Sequence, residues 1–253
     1  MRSVSRIAVL AAALSAPAYT GNLNDDLLRA AQRGDLAATQ RLLAAGATVD
    51  AHGDDYVTPL ILAAQYDRVE IVQYLLEHGA SVNFQSRLGV NALMSAARSG
   101  SVSTVETLLQ HGADVEARNS NGTTALMRAA ERGQEEIVTA LLGRTPQVDV
   151  KDDLGRTALM RAATNGHPRV ADLLLAKGAN VNERNKAGWT SCMLAASAGH
   201  SETVGILLAK GADVQVKTPL GATAESLAAA KGYARIVQQL RQAARKPPSA
   251  PLP

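Results

Sequence analysis

The sequence predicts an all-α solenoid built from stacked helix-turn-helix units, and three observations support this fold class. Ala-Ala pairs recur at a constant step of 33 residues, and Leu-Leu pairs recur at the same step. A fixed period of this length is typical of repeat architectures. Hydrophobic residues make up 46% of the chain but aromatic residues only 3%, which favours Ala- and Leu-rich packed helices over an aromatic-rich β-sheet core.

Each 33-residue unit carries the signals for two short helices separated by turns. In one unit Thr157 is a suitable N-cap residue, and good helix formers follow it. In another, Pro59 stands at the first helical position, where its missing N–H group is tolerated. The apolar stretch 70–76 predicts a second helix, and Gly79 follows it as a left-handed C-cap. The period therefore predicts two helices per unit, each ended by a turn.

One unit shows a set of motifs known from a protein family, namely Gly188-Trp189-Thr190, Ala195-Ala196, Gly199-His200, Leu207-Leu208 and Gly211-Ala212-Asp213-Val214. This pattern resembles the ankyrin repeat, and the resemblance extends over about residues 23–241. It implies a solenoid in which β-hairpin-like fingers join the helix pairs. It also implies a scaffold that binds other proteins rather than an enzyme.

The period divides the chain into seven units with a segment at each end. The units cover about residues 23–50, 51–86, 87–119, 120–152, 153–185, 186–218 and 219–241. The first and the last are predicted to be caps, because a terminal repeat needs one solvent-facing side. Residues 242–253, which include Pro247 and Pro248, are predicted to be a disordered Pro-rich tail.

The first 18 residues have the pattern of a secretory signal peptide. Arg2 and Arg6 precede a short apolar run over 7–14, and Ala16-Pro17-Ala18 forms a small-residue cleavage site. We expect cleavage after Ala18, a periplasmic or secreted location, and no membrane insertion of the mature chain. An ordinary buried N-terminal helix is the alternative. Cleavage removes two of the 26 basic residues and none of the 23 acidic ones, so the net charge falls from +3 to +1.

The remaining motifs favour a structural role over chemistry. No G-x-S-x-G, H-E-x-x-H, P-loop or dinucleotide-binding glycine motif occurs, so we expect no enzyme activity, no cofactor and no metal. Cys192 stands at a core position of its unit, and a row of methionines at the step of 33 replaces the His of the family pattern. At Thr145-Pro146 the usual Gly-Ala corner is missing, which predicts a different turn there with Gly143 as the candidate turn residue.

The resemblance further implies that a partner docks on the fingers and on the concave ends of the first helices. Ten of these positions are basic and four are acidic, while the rest of the mature chain is acidic. Lys217 and Lys231 belong to this basic stripe. The predicted contact residues are Arg87, Arg98, Arg118, Arg132, Lys151, Arg156, Arg184, Lys186, Trp189 and Tyr66. Arginine recognises carboxylates, so we expect an acidic protein partner. We expect no nucleic acid, because the chain is predicted to be exported and the stripe lacks interleaved aromatic residues, and a monomer outside the complex. The alternative is that Trp189 packs on its own finger and the charges only solubilise the chain.

Three functions remain open at this point. The first is an exported, non-catalytic scaffold similar to the periplasmic ankyrin proteins of Gram-negative bacteria, some of which are linked with peroxide tolerance and others with toxin immunity. The second is a secreted effector that binds host proteins. The third is an enzyme with an unrecognised site. No residue of the sequence decides which biological process is served.

Overall fold

The computed structural model describes residues 22–144 and 146–245, which form fourteen α-helices and no strand. The first helices of the seven pairs are α1 (Leu23–Arg33), α3 (Pro59–Gln65), α5 (Ala92–Ser99), α7 (Ala125–Arg132), α9 (Ala158–Asn165), α11 (Ser191–Ala198) and α13 (Ala224–Ala230). The second helices are α2 (Leu36–Ala44), α4 (Val69–Glu77), α6 (Val102–Gln110), α8 (Glu135–Leu142), α10 (Pro168–Ala176), α12 (Ser201–Ala209) and α14 (Ala234–Ala244). The all-α prediction is confirmed. The predicted signal peptide, residues 1–18, lies outside the described residues.

The helices stack in two rows. Each first helix packs on the first helix of the next unit, and each second helix packs on the next second helix. Contacts are closer within the row of first helices, because Ala pairs such as Ala96-Ala97 are fully buried there and allow the backbones to approach. The closer row forms the concave side of the stack, as is usual for solenoids.

The core is one continuous cluster that runs from Ala31 to Leu240, with a smaller cluster under the first unit. The methionine row is buried, at 3% exposure or less for Met94, Met127, Met160 and Met193. Cys192 is 1% exposed, and burial raises the pKa of its thiol to about 12. The interior position predicted for these residues is confirmed.

Local signals set the helix ends where the sequence predicts them. Thr157 Oγ1 accepts the N–H of Met160 at 3.3 Å, and equivalent N-caps begin the other first helices from α3 onward. Left-handed glycines such as Gly100 end most of these helices. Asp67 takes this place after α3 with a φ of 55°, and its carboxylate accepts from Ser101 and Thr104.

One corner departs from the pattern of the other units, and one helix extends beyond its predicted end. Gly143 caps α8 with a right-handed φ of −67°, so it does not supply a left-handed turn, and the next backbone N–H, from Arg144, bonds back to Leu141 O at 3.0 Å. Thr145 lies outside the described residues. At the C-terminus α14 continues to Ala244, beyond the limit of 241, because Gln242, Ala243 and Ala244 are compatible with a helix. Of the segment predicted to be a disordered tail, residues 246–253 lie outside the described part.

Candidate functional site

The fingers are short hairpins, and the first residue of each finger forms hydrogen bonds within it through both its backbone and its side chain. Its backbone N–H donates across the finger to the carbonyl four residues later, in the pairs Ser86–Val90, Asn119–Thr123, Asp152–Arg156, Asn185–Trp189 and Thr218–Ala222. Its side chain also accepts from its own finger, as Asn185 Oδ1 does from Trp189 N at 2.9 Å. We call these five positions the brace residues. Neighbouring fingers are joined as well, for example by Lys186 N donating to Leu154 O at 3.0 Å. The fingers therefore form one ordered row.

Three of the predicted basic contact residues are used within this row. Lys151 Nζ lies 2.5 Å from Glu183 Oε1 in the next finger, and the pKa of Glu183 is lowered mainly by this hydrogen bond. Arg184 Nη2 donates to Lys217 O at 2.8 Å. Arg156 Nε lies 2.8 Å from Asp152 Oδ2. Lys151 and Arg184 join neighbouring fingers, and Arg156 stabilises its own finger. These bonds reduce the freedom of all three side chains to contact a partner.

Other predicted cations are exposed and remain available. Among the described residues, none of Arg98, Arg118, Arg132 and Lys186 takes part in a salt bridge. Arg87 is also exposed, and its guanidinium carbon lies 6.0 Å from the centre of the Tyr56 ring. The free positive charge is thus concentrated on units three and four, with Lys186 further along.

Arg128 lies beside this group, although its position was not selected from the sequence; unlike the others it is paired, with its Nη1 3.6 Å from Glu131 Oε2. Its pKa is lowered, first by burial. Glu131 counteracts the effect, and the nearby positive charges lower the pKa further; they belong to Arg161, Arg98 and Arg132. Arg128 Nη1 and Arg161 Nη1 lie 3.6 Å and 2.9 Å from the same Glu131 oxygen. Since α5 packs on α7 and α7 on α9, these helices bring the arginines to one part of the row of first helices. We call Arg98, Arg128 and Arg132 the arginine cluster.

A buried ion network lies beside the arginine cluster. Arg161 is only 6% exposed, and its guanidinium bonds to Asp152 Oδ2 at 2.7 Å and to Glu131 Oε2 at 2.9 Å. Asp152, 5% exposed, is also the brace residue of its finger. Burial acts to raise the pKa of Asp152, but bonds from Arg156 and the charge of Arg161 together lower it. The network fixes this finger to α7 and α9.

Acid is expected to weaken the fold through Asp152. Its folded-state pKa lies below the ordinary value of 3.8, so its contribution to stability is complete above that value and is lost as the pH falls through the folded-state pKa. Thermal unfolding from about pH 6 to about pH 2 should therefore show a smaller acid-induced loss for Asp152→Asn than for the parent chain. Parallel loss in both proteins would contradict this assignment.

The aromatic residues predicted as contacts lie in the second and the sixth units. Trp189 is half-buried and packs against the core. Tyr66 is 39% exposed, and its hydroxyl accepts from Gln32 at 3.1 Å. Tyr56, which the sequence analysis did not select, is 43% exposed and stacks on His52 with 4.5 Å between the rings. Tyr56 therefore extends the aromatic surface to the N-terminal finger.

The histidines act on the backbone rather than in a reactive site. His167 Nε2 lies 3.1 Å from Glu131 O, and His200 Nε2 lies 3.0 Å from Thr164 O, so each ring bridges to the preceding unit. In the part of the chain that the structure describes, no group of three or more His, Cys, Asp or Glu residues could hold a metal ion. Nor is any helix of that part long and apolar enough to cross a membrane.

An ordered row of fingers above a concave helix row defines a repeat scaffold for protein interaction. The family model for ankyrin repeats matches in three copies, over residues 27–119, 115–185 and 177–248. The chain therefore belongs to the ankyrin-repeat family. The crystal structure of the human ASB11 ankyrin repeat domain is similar to it, with 29% identity, a TM-score of 0.79, and coverage of 88% of this chain and 99% of that one. No curated protein matches the chain.

Proposed function

We propose that the chain is a non-catalytic scaffold that binds an acidic segment of a partner protein across the arginine cluster. The observation that carries this proposal is that Arg98 and Arg132 are exposed and, within the described residues, form no salt bridge. They lie beside Arg128, whose pKa is lowered first by burial and then, against the opposing charge of Glu131, by repulsion from neighbouring arginines. An anionic segment would relieve that repulsion. Arginine also forms bidentate hydrogen bonds with carboxylates, which adds geometric specificity.

The surrounding structure supports such a docking site. The buried network of Arg161 fixes the helices that carry the cluster, and the joined fingers hold their shape before a partner arrives. A preorganised surface loses less conformational entropy on binding. Exposed Arg118 and Lys186 extend the positive surface along the fingers.

Binding of a fluorescent Glu-rich peptide would test the site. Arg132→Glu should weaken binding by about tenfold or more at low salt, because it replaces an attraction with a repulsion. Lys231→Glu is the matched control, since Lys231 is exposed at the same repeat position three units later. Its binding should stay close to that of the parent chain. Equal losses in the two variants would mean that only general positive charge matters, and would remove the cluster from the proposal.

We further propose that the mature chain acts after export, in the periplasm or outside the cell. The support is the sequence pattern of Arg2, Arg6 and the Ala16-Pro17-Ala18 segment. The mass of the protein recovered from a bacterial envelope fraction should correspond to a chain that begins at Tyr19. A mass that includes Met1 would contradict export by this route. A partner in envelope or oxidative-stress defence, an immunity-type partner and a host protein all fit this proposal.

A further inference from the structure

A groove lies on the opposite side of the stack, on the row of second helices. It has a volume of about 800 Å³ and crosses α6, α8, α10 and α12. Half-buried apolar side chains contribute to its lining, from Val102, Ala140, Leu173 and Ile206. Ala140 is a small residue of the lining, whereas the equivalent position in the next unit carries the larger Leu173.

Carboxylates surround this apolar floor. The groove is lined by Glu106, Glu135, Glu136, Asp172 and Glu202, while Arg169 is the one cation among its lining residues. Asp172 lies 3.2 Å from Lys210 Nζ. Within residues 22–144 and 146–245, the four glutamates form no salt bridge. Most of the negative charge is therefore left for a ligand.

Helix stability explains only part of this charge. Glu135, Glu136 and Glu202 lie in the first turns of their helices, where a carboxylate interacts favourably with the helix dipole. Glu106 and Asp172 lie in the middle of α6 and α10, where that interaction is weak. These two residues lie on the helices at either side of α8 and complete the acidic border. The positions of the carboxylates therefore match the outline of the groove better than they match the helix ends.

We propose that this groove docks a cationic amphipathic helix of a second protein. A helix with leucine-type residues on one side would lay them on the apolar floor, and its flanking lysines or arginines would meet the carboxylates. The chain's own basic helix α14 is not the occupant, because its apolar residues Ile236 and Leu240 are 1% exposed and packed in the core. The scaffold then recognises partners of opposite charge on its two sides.

The test uses a labelled amphipathic peptide of Leu and Lys, about 18 residues or five helical turns long, titrated with the full chain at low salt. Glu136→Lys should weaken binding by about tenfold. Glu70→Lys is the matched control, because Glu70 is exposed at the same repeat position in α4, outside the groove. The control should bind as the parent chain does, and equal weakening in both variants would overturn the proposal.

Two further variants separate charge from shape. Arg169→Glu removes the one cation of the lining and should tighten binding, which cannot result from a folding defect. Ala140→Phe fills the floor without a change of charge and should weaken binding at an unchanged melting temperature. Unaltered binding in either variant would contradict the proposal. Concentration-dependent self-association of the chain alone, abolished by Glu136→Lys, would assign the groove to a second copy and also overturn it.

Discussion

Replacement of Arg161 by leucine is expected to lower the free energy of unfolding by about 3–5 kcal/mol. The substitution leaves Asp152, 5% exposed, without the guanidinium that lies 2.7 Å away. Arg156 still lies 2.8 Å from the same carboxylate oxygen, but its side chain is 40% exposed to solvent and compensates only in part. Denaturant unfolding followed by circular dichroism measures the loss.

The double variant Asp152→Asn with Arg161→Leu is the control for this prediction. The next unit already carries this combination, with Asn185 as its brace residue and Leu194 at the position of Arg161. Because replacing a complete buried ion pair is often neutral or stabilising, the double variant should regain most of the lost stability. If it is as unstable as Arg161→Leu alone, the loss comes from packing and not from the unpaired carboxylate.

The ion network of Arg161, Asp152 and Glu131 was not predicted from the sequence, whereas the helices were. The period predicts both helices of every unit, their caps and the buried Met row, because these depend on local residue order and on a repeated register. Arg128 and Arg161 occupy the same position in two consecutive repeats. This position was not among the contact positions taken from the family pattern. A signal was present, since Leu or Ser occupies this position in the other internal units. A charged residue at a semi-buried register position should prompt a search for its counter-ion.

The sequence also does not show which basic side chains form salt bridges. Counting charges places Lys151 and Arg118 in the same basic stripe, yet only Lys151 is bound to a carboxylate in the neighbouring finger. Which cation is paired depends on distances between side chains some 30 residues apart, and the spacing of the charges does not contain them. The arginine cluster is thus smaller than the stripe, and it is centred on units three and four.

Gly155→Ala is expected to lower the free energy of unfolding by about 2–3 kcal/mol. Gly155 has a φ of 74°, and an added Cβ would lie 2.7 Å from Lys186 N, which itself donates to Leu154 O at 3.0 Å. The variant therefore suffers both backbone strain and displacement of the next finger. Gly221→Ala is the control, because its φ is 79° but no atom lies within 4 Å of the added Cβ. Equal losses of unfolding free energy in the two variants would show that the contact between fingers contributes nothing to stability.

Substitution of Tyr56 by glycine is the reverse experiment. Tyr56 belongs to the N-terminal finger, occupies the repeat position equivalent to that of Gly155, and has a φ of 57°. Left-handed backbone costs a residue with a side chain about 1–2 kcal/mol, while partly exposed stacking of its ring returns roughly 0.5–1.5 kcal/mol. Tyr56→Gly should therefore leave the melting temperature unchanged or raise it, and a clear fall would mean that the ring stabilises the finger. If the melting temperature does not fall, the strain at Tyr56 favours the hypothesis that its ring serves binding. The exposed Tyr56 ring is then the aromatic contact to examine first when a partner is captured.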